Sequence, residues 1–148
     1  MRKIWFSSNT LFTSSFNCLR TLPHLKAWDA TYRKRGLVIL GVHTPEFAFE
    51  HVTSNVRAAV KRLGIRYPVV QDNRFKTWDN YANQYWPAEY LIDRSGRVRH
   101  THFGEGEYPQ TESLIRRLRS REENNFTDRM ISIMRGAFGG HEVKKSTD

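Results

Sequence analysis

The sequence predicts an α/β layer fold, a central four-stranded mixed sheet flanked by helices, and three observations carry that prediction. Apolar runs of strand length alternate with stripes at helical spacing, in the order β-α-β-α-β-β-α. Gly36 and Gly64 stand where two of the helical stripes stop. Two of the strands are joined through a tight Arg94-Ser95-Gly96 turn. The first strand is the least marked, with only Ile4-Trp5-Phe6 ahead of the polar run Ser7-Ser8-Asn9-Thr10. Ser14 or Ser15 can then cap a helix through its hydroxyl, and Leu19, Leu22, Leu25, Ala27, Trp28 and Tyr32 recur at helical spacing up to Gly36. Leu37 to Val42 is a continuous apolar run of the kind buried on both faces in a central parallel strand. A second helix over Val52 to Leu63 lines up Val52, Val56, Ala59, Val60 and Leu63. Tyr67 to Gln71 is a short, peripheral extended segment, and Phe75 to Tyr81 a short helical turn. Glu89 to Asp93 and Arg97 to Phe103 make an antiparallel hairpin, and Gln110 to Leu118 the last core helix.

Residues 1–118 are thus expected to form one domain, with residues 1–15 as a divergent first strand, and 119–148 a basic tail. In the tail, Phe126, Met130, Ile133, Met134 and Ala137 describe a short amphipathic helix ending by Gly139-Gly140, and His141 to Asp148 reads as disordered. With 39% apolar and 13% aromatic residues, 148 residues can bury a core of ordinary size. No apolar stretch approaches the ~20 residues of a membrane-spanning helix. Met1-Arg2-Lys3 has the opening charge of a signal peptide, but the apolar region behind it is too short, so the expectation is a chain with no export route of its own, cytoplasmic by default, although proteins of the family that it resembles are often extracytoplasmic. The formal charge of +9 is scattered, through Arg33-Lys34-Arg35, Lys61-Arg62, Arg97-Val98-Arg99 and Arg116-Arg117-Leu118-Arg119-Ser120-Arg121, with no nucleic-acid module around it. That distribution argues against nucleic acid as a partner, while Arg129 and Arg135 in the tail are compatible with a membrane surface or a docking partner.

One cysteine, Cys18, precludes an internal disulfide and the usual cysteine-rich zinc clusters. His100 and His102 alternate on one face of a strand without a third ligand nearby in sequence, a weak metal signal, so neither metal nor cofactor is expected. Cys18 closes the run Ser15-Phe16-Asn17-Cys18 directly ahead of the first helical stripe. It also opens the first of four segments in order: Asn17-Cys18-Leu19-Arg20-Thr21-Leu22-Pro23, Gly41-Val42-His43-Thr44-Pro45-Glu46-Phe47, Tyr67-Pro68-Val69-Val70-Gln71-Asp72 and Trp86-Pro87-Ala88-Glu89-Tyr90-Leu91-Ile92-Asp93. In this combination, from about Cys18 to about Leu118, the chain resembles the TlpA-like redoxin branch of the thioredoxin-fold oxidoreductases, especially the soluble redoxin domain of DipZ-type membrane proteins.

The resemblance implies a thioredoxin-like fold and thiol-disulfide exchange with a thiol- or disulfide-containing protein or small thiol. It places the Cys-x-x-Cys pair of the family at Ser15 and Cys18, a cis proline at Pro87 exposing the backbone at Trp86 to substrate, and an acidic residue that helps move protons at Glu46. A carboxylate desolvated at that site would have a raised pKa and could accept a proton. His43, in the same segment, reads as a packed strand-end residue. Ser15 cannot form a disulfide, so dithiol exchange is expected to be lost and monothiol chemistry at Cys18 is the most that remains. Two alternatives stand beside this reading. One is a noncatalytic thiol- or partner-binding module. The other is a one-cysteine peroxidase, because Ser15-x-x-Cys18 is similar to half of the peroxiredoxin pattern; there, Leu11 occupies the place of the proline, and Pro87 that of the arginine that orients peroxide.

Overall fold

The computed structural model describes the backbone of residues 3–9 and 16–137, with side chains over 16–121, at 124 and over 127–133. Five strands and four helices follow one another as β1 (Lys3–Asn9), α1 (Phe16–Tyr32), β2 (Leu37–His43), α2 (Thr53–Arg62), β3 (Val69–Gln71), α3 (Lys76–Asn80), β4 (Ala88–Ile92), β5 (Val98–Phe103) and α4 (Tyr108–Ala137), with 3-10 turns at Arg33–Arg35 and Ala48–His51. The strands form one sheet in the order β3-β2-β1-β4-β5. β1 runs parallel to β2, from Lys3 opposite Leu37 to Asn9 opposite His43, and antiparallel to β4, with Ser8 opposite Ala88. β4 and β5 form the antiparallel hairpin.

The mixed sheet is as expected except in its strand number. Val69–Gln71, expected at the periphery, pairs in parallel with Gly41–His43 and adds a fifth strand at the edge. Gly41 makes this pairing possible: a Cβ there would lie 3.1 Å from the Tyr67 ring and 3.2 Å from Val69, while its amide donates to the Pro68 carbonyl at 2.8 Å. The expected centre of the sheet also moves by one strand. β2 is an inner strand, but the middle position belongs to β1, whose backbone pairs on both sides in spite of its polar second half.

Successive residues of a strand face opposite sides, and this alternation sorts the core into two layers. On one face Val42, Ala88, Tyr90 and Ile92 cluster with Leu40 and Tyr81. On the other lie Leu37, Ile39 and His43 of β2 with Glu89 and Leu91 of β4, all buried. α1 covers this second face: Asp29 near its end lines a cleft with Leu37 and Ile39, and its own Leu22, Leu25 and Trp28 are buried. The first turn of α4 joins it there, with Tyr108 stacked on His24 at 3.5 Å between ring centroids and Tyr32 Oη donating to Glu112 Oε1 at 2.6 Å. α1 ends through the 3-10 turn at Gly36, whose φ of 96° is left-handed. On α2, Val56 and Ala59 of the expected stripe are buried, whereas Val52 caps the helix and is exposed.

The chain divides into two compact units, Met1–Glu112 and Ser113–Asp148. The expected break between a helix at 110–118 and a tail helix from Phe126 is absent; one helix of 30 residues covers both. No glycine or proline interrupts Gln110 to Arg135, so nothing in the polar stretch between the two apolar stripes stops it. Gly139-Gly140 and His141 to Asp148 lie outside the described residues. No helix among the described residues is long and apolar enough to cross a membrane.

Candidate functional site

The register of the sheet brings four segments to one end. The parallel strands finish together at Asn9 and His43, and β4 starts there, with Ala88 opposite both Ser8 and Phe103. α1 follows β1 and leads into the start of β2 at the opposite end, so its first turn lies at this end, outside the carboxyl ends of the parallel strands. That turn carries Cys18. Its side chain is 0% exposed, two residues behind Phe16, which is 73% exposed. Amides in the first turn of a helix have no partner within it and carry the positive end of the dipole. Ser15 lies outside the described residues.

The Trp86-Pro87 peptide is cis, as the resemblance implied. The Pro87 carbonyl accepts from the Gly104 amide at 2.8 Å, which ties the proline to the end of β5. Trp86 is tied to the loop after β2: its Nε1 donates to the Thr44 carbonyl at 3.1 Å, and its ring packs on Trp78 with centroids 4.3 Å apart. Asp72 steadies the same corner. Its amide donates to the His43 carbonyl, and its two carboxylate oxygens accept from the Thr77 and Trp78 amides at 3.1 and 2.9 Å, partners for the first turn of α3. Behind them Tyr90 Oη donates to Asn83 Oδ1 at 3.0 Å.

Glu46 lies on that loop but stays exposed. The burial expected of it falls on two other carboxyl groups. Glu50, fully buried, accepts from the Glu46 amide at 2.6 Å and the Phe47 amide at 3.2 Å, and its own carbonyl lies 3.0 Å from His43 Nε2. It shapes the loop. Glu89, in the second register position of β4, is 1% exposed, and neither of its oxygens has a hydrogen-bond partner. Burial alone pushes its pKa up to about 8. Sequence reasoning passed over both. The signals were a glutamate three residues after Phe47, a spacing at which a carboxylate reaches back to the amides that open a helical turn, and a lone carboxylate inside an otherwise apolar strand.

The arrangement can hold a sheltered thiol at a helix N-terminus beside a backbone platform before a cis proline. Among the described residues no three His, Cys, Asp or Glu side chains gather as metal ligands.

Comparison with known proteins agrees with this geometry. Protein DipZ of Mycobacterium tuberculosis (strain CDC 1551 / Oshkosh) is 54% identical over 105 residues, which cover 71% of this chain and 15% of that protein. The chain thus spans under a sixth of the length of the DipZ relatives it matches. The thiol-disulfide oxidoreductase YkuV of Bacillus subtilis (strain 168) is 23% identical over 106 residues, covering 72% of this chain and 71% of that one. A thiol-disulfide isomerase from Corynebacterium glutamicum superposes with a TM-score of 0.73 at 19% identity, covering 80% of this chain and 81% of the other, a likeness of fold. The AhpC/TSA family matches residues 10–101, through the segment leading to Cys18, the loop after β2, the cis proline, β4 and the first part of β5. The chain is a redoxin of thioredoxin-like fold and belongs to the AhpC/TSA family.

Proposed function

We propose that this chain is a redoxin domain that engages thiol- or disulfide-containing partners and carries out at most monothiol exchange at Cys18. The observation that supports it is the position of Cys18, fully buried in the first turn of α1 at the end of the sheet where the cis Trp86-Pro87 peptide lies. In a Cys-x-x-Cys pair the first cysteine is the exposed nucleophile and the second resolves the mixed disulfide. Cys18 occupies the second place and Ser15 the first. A partner chain in extended conformation would pair with the backbone at Trp86, ahead of Pro87, and Glu46 would meet it from the exposed loop. The names of the relatives, thiol-disulfide oxidoreductase among them, support the same class of partner.

The burial of Cys18 also favours a second reading, a noncatalytic partner-binding module, in which the thiol is packing and the exposed Phe16, Phe47 and Phe49 are contact surface. One experiment separates the two. The unmodified protein should reduce insulin no faster than Cys18→Ala, and Ser15→Cys should form an intramolecular disulfide under mild oxidant and gain exchange activity. A Ser15→Cys protein whose two thiols stay reduced would show that the divergent N-terminal segment no longer builds the exchange site, and would overturn the monothiol reading in favour of the binding module. Peroxide consumption by the unmodified protein, lost in Cys18→Ala, would overturn both in favour of a peroxidase.

A further inference from the structure

At the end of α1 away from Cys18, the helix, the 3-10 turn behind it and the loop between α2 and β3 enclose a cleft of about 520 Å³. Pockets that hold small organic molecules are of this size. Lys26, Arg33, Lys34 and Arg66 line it, against a single carboxylate, Asp29. A helix C-terminus attracts cations, which accounts for Arg33 and Lys34, but Lys26 lies within α1 and Arg66 arrives from beyond α2. Two of the four cations are held in place. Arg33 Nε donates to Asp29 Oδ1 at 3.1 Å and Nη2 donates to Oδ2, a fork that takes up the one negative charge while half of the Arg33 side chain stays exposed. Lys26 Nζ donates to the Leu63 carbonyl at 2.9 Å and lies over Gly64, where an added Cβ would be 3.5 Å from it. Lys34 and Arg66 are exposed and have no acidic partner among the described residues. Asp29 and Arg33 also wall a second cleft, of about 250 Å³, completed by Leu37, Val38, Ile39 and Pro68. Tyr67, between Arg66 and Pro68 in the chain, is buried, and its hydroxyl has no hydrogen-bond partner; burial and then the charge of Asp29 hold this phenol well above its ordinary pKa. A donor is thus left unused within reach of the Asp29 charge.

We propose that the paired clefts bind a soluble phosphate ester, its phosphate groups on Lys26, Arg33, Lys34 and Arg66 and its organic body along Leu37, Val38, Ile39 and Pro68. The charge selects the anion. Four cations facing one carboxylate that is already paired match a multiply charged group, and a lone carboxylate ligand would leave most of them unanswered. Guanidinium groups suit phosphate because two of their N–H groups reach two oxygens at once. Arg33, with Nε and one hydrogen of Nη2 spent on Asp29, keeps three N–H groups for a ligand. A nucleic-acid strand is met by basic groups in a track along the backbone, whereas these four converge on one cleft. The apolar cleft excludes a second source of the same phosphate: about 250 Å³ has room for a ring system or a short chain, and not for the acyl chains of a lipid. No step at sulfur is involved, and the inference goes beyond the reading of Cys18.

Titration calorimetry with ATP, inorganic pyrophosphate and adenosine tests the two halves of the site. ATP should bind at one site per chain, pyrophosphate about tenfold more weakly for want of an apolar body, and adenosine without measurable heat. Lys34→Gln and Arg66→Gln, both at exposed positions, should each weaken ATP binding about five- to tenfold. Lys61→Gln and Arg97→Gln remove the same charge from exposed positions elsewhere and should change it by less than about twofold. Equal losses in all four variants would overturn the site and leave general attraction to a chain of formal charge +9. Pyrophosphate bound as tightly as ATP would overturn the placement of the organic body, and binding of neither would overturn the proposal outright. Vesicles of phosphatidylglycerol that sediment the unmodified protein but not Lys34→Gln or Arg66→Gln, with no ATP bound, would overturn the soluble ligand in favour of a membrane surface. Cys18→Ala should bind ATP as the unmodified protein does, so a failure of exchange chemistry at Cys18 and a failure of this site are read separately.

Discussion

Replacing Glu89 with glutamine should flatten the dependence of stability on pH across the neutral range. The side chain is 1% exposed and carries its proton up to about pH 8, against 4.5 for an unperturbed glutamate. Its folded-state pKa lies above the unfolded one, so the folded protein binds this proton more tightly. The stability tied to that proton is fully present below about pH 4.5 and is lost as pH rises through about 8. Each unit of difference corresponds to about 1.4 kcal/mol, so the span between the two values amounts to as much as about 5 kcal/mol. That is a large part of the roughly 5–15 kcal/mol that holds a domain of ordinary size together. Glutamine has nearly the same shape and never ionises. Urea unfolding at about pH 5 and about pH 9 should therefore show the variant close to its parent at the acid end and more stable by about 3–5 kcal/mol at the alkaline end. A difference that stays constant across pH would refute the reasoning, because it would mean that the carboxyl group ionises as easily in the folded chain as in the unfolded one.

Gly41→Ala should cost about 1–3 kcal/mol, read from thermal or urea unfolding, because the added methyl meets the Tyr67 ring and Val69 at the seam between β2 and β3. Leu25→Ala, which empties a fully buried position of α1, should cost about 2–5 kcal/mol in the same assay. Glu50→Ala strips the Glu46 and Phe47 amides of a charged acceptor and should destabilise by about 2–4 kcal/mol, with hydrogen exchange quickening at those two amides. Trp86→Phe keeps an aromatic ring against Trp78 but loses the bond to the Thr44 carbonyl, about 0.5–1.5 kcal/mol, and in the Ser15→Cys background it should lower exchange activity more than it lowers stability.

What could be read from the residues, and what could not, follows from which interactions are local. The strand β2 is a continuous apolar run and β4 an apolar run interrupted only by Glu89, and the turn between β4 and β5 declares itself through Asp93, whose carboxyl is held well below the usual range by the Ser95 hydroxyl above all, then by Arg99 and by the Arg97 and Ser95 amides. β1 is different. Ser7, Ser8 and Asn9 give little sign of a strand, yet they pair on both sides because β2 and β4 flank them, and pairing of that kind is settled by tertiary neighbours. The fifth strand was obscured by its length of three residues, and the continuity of α4 by a polar stretch that lacks an apolar stripe but also lacks any residue that would end a helix. Within the site, Cys18, Trp86 and Pro87 could be found through the resemblance, since their positions are set by motif order. The distribution of buried charge could not. Glu46 and Glu50 are four residues apart on one loop, and which of them turns inward depends on where the amides of Glu46 and Phe47 point, a property of the folded turn.

The hydrogen bond from the Gly104 amide to the Pro87 carbonyl has a kinetic consequence. Proline has no amide hydrogen to offer, and its carbonyl already accepts from Gly104, so a chain docking ahead of Pro87, as proposed above, would meet main-chain groups at Trp86 rather than at the proline. A docking contact one residue long supplies two hydrogen bonds at most, each worth about 0.5–1.5 kcal/mol. Partners held by so little backbone dissociate quickly, and long residence would have to come from side-chain contacts or from a covalent link to sulfur.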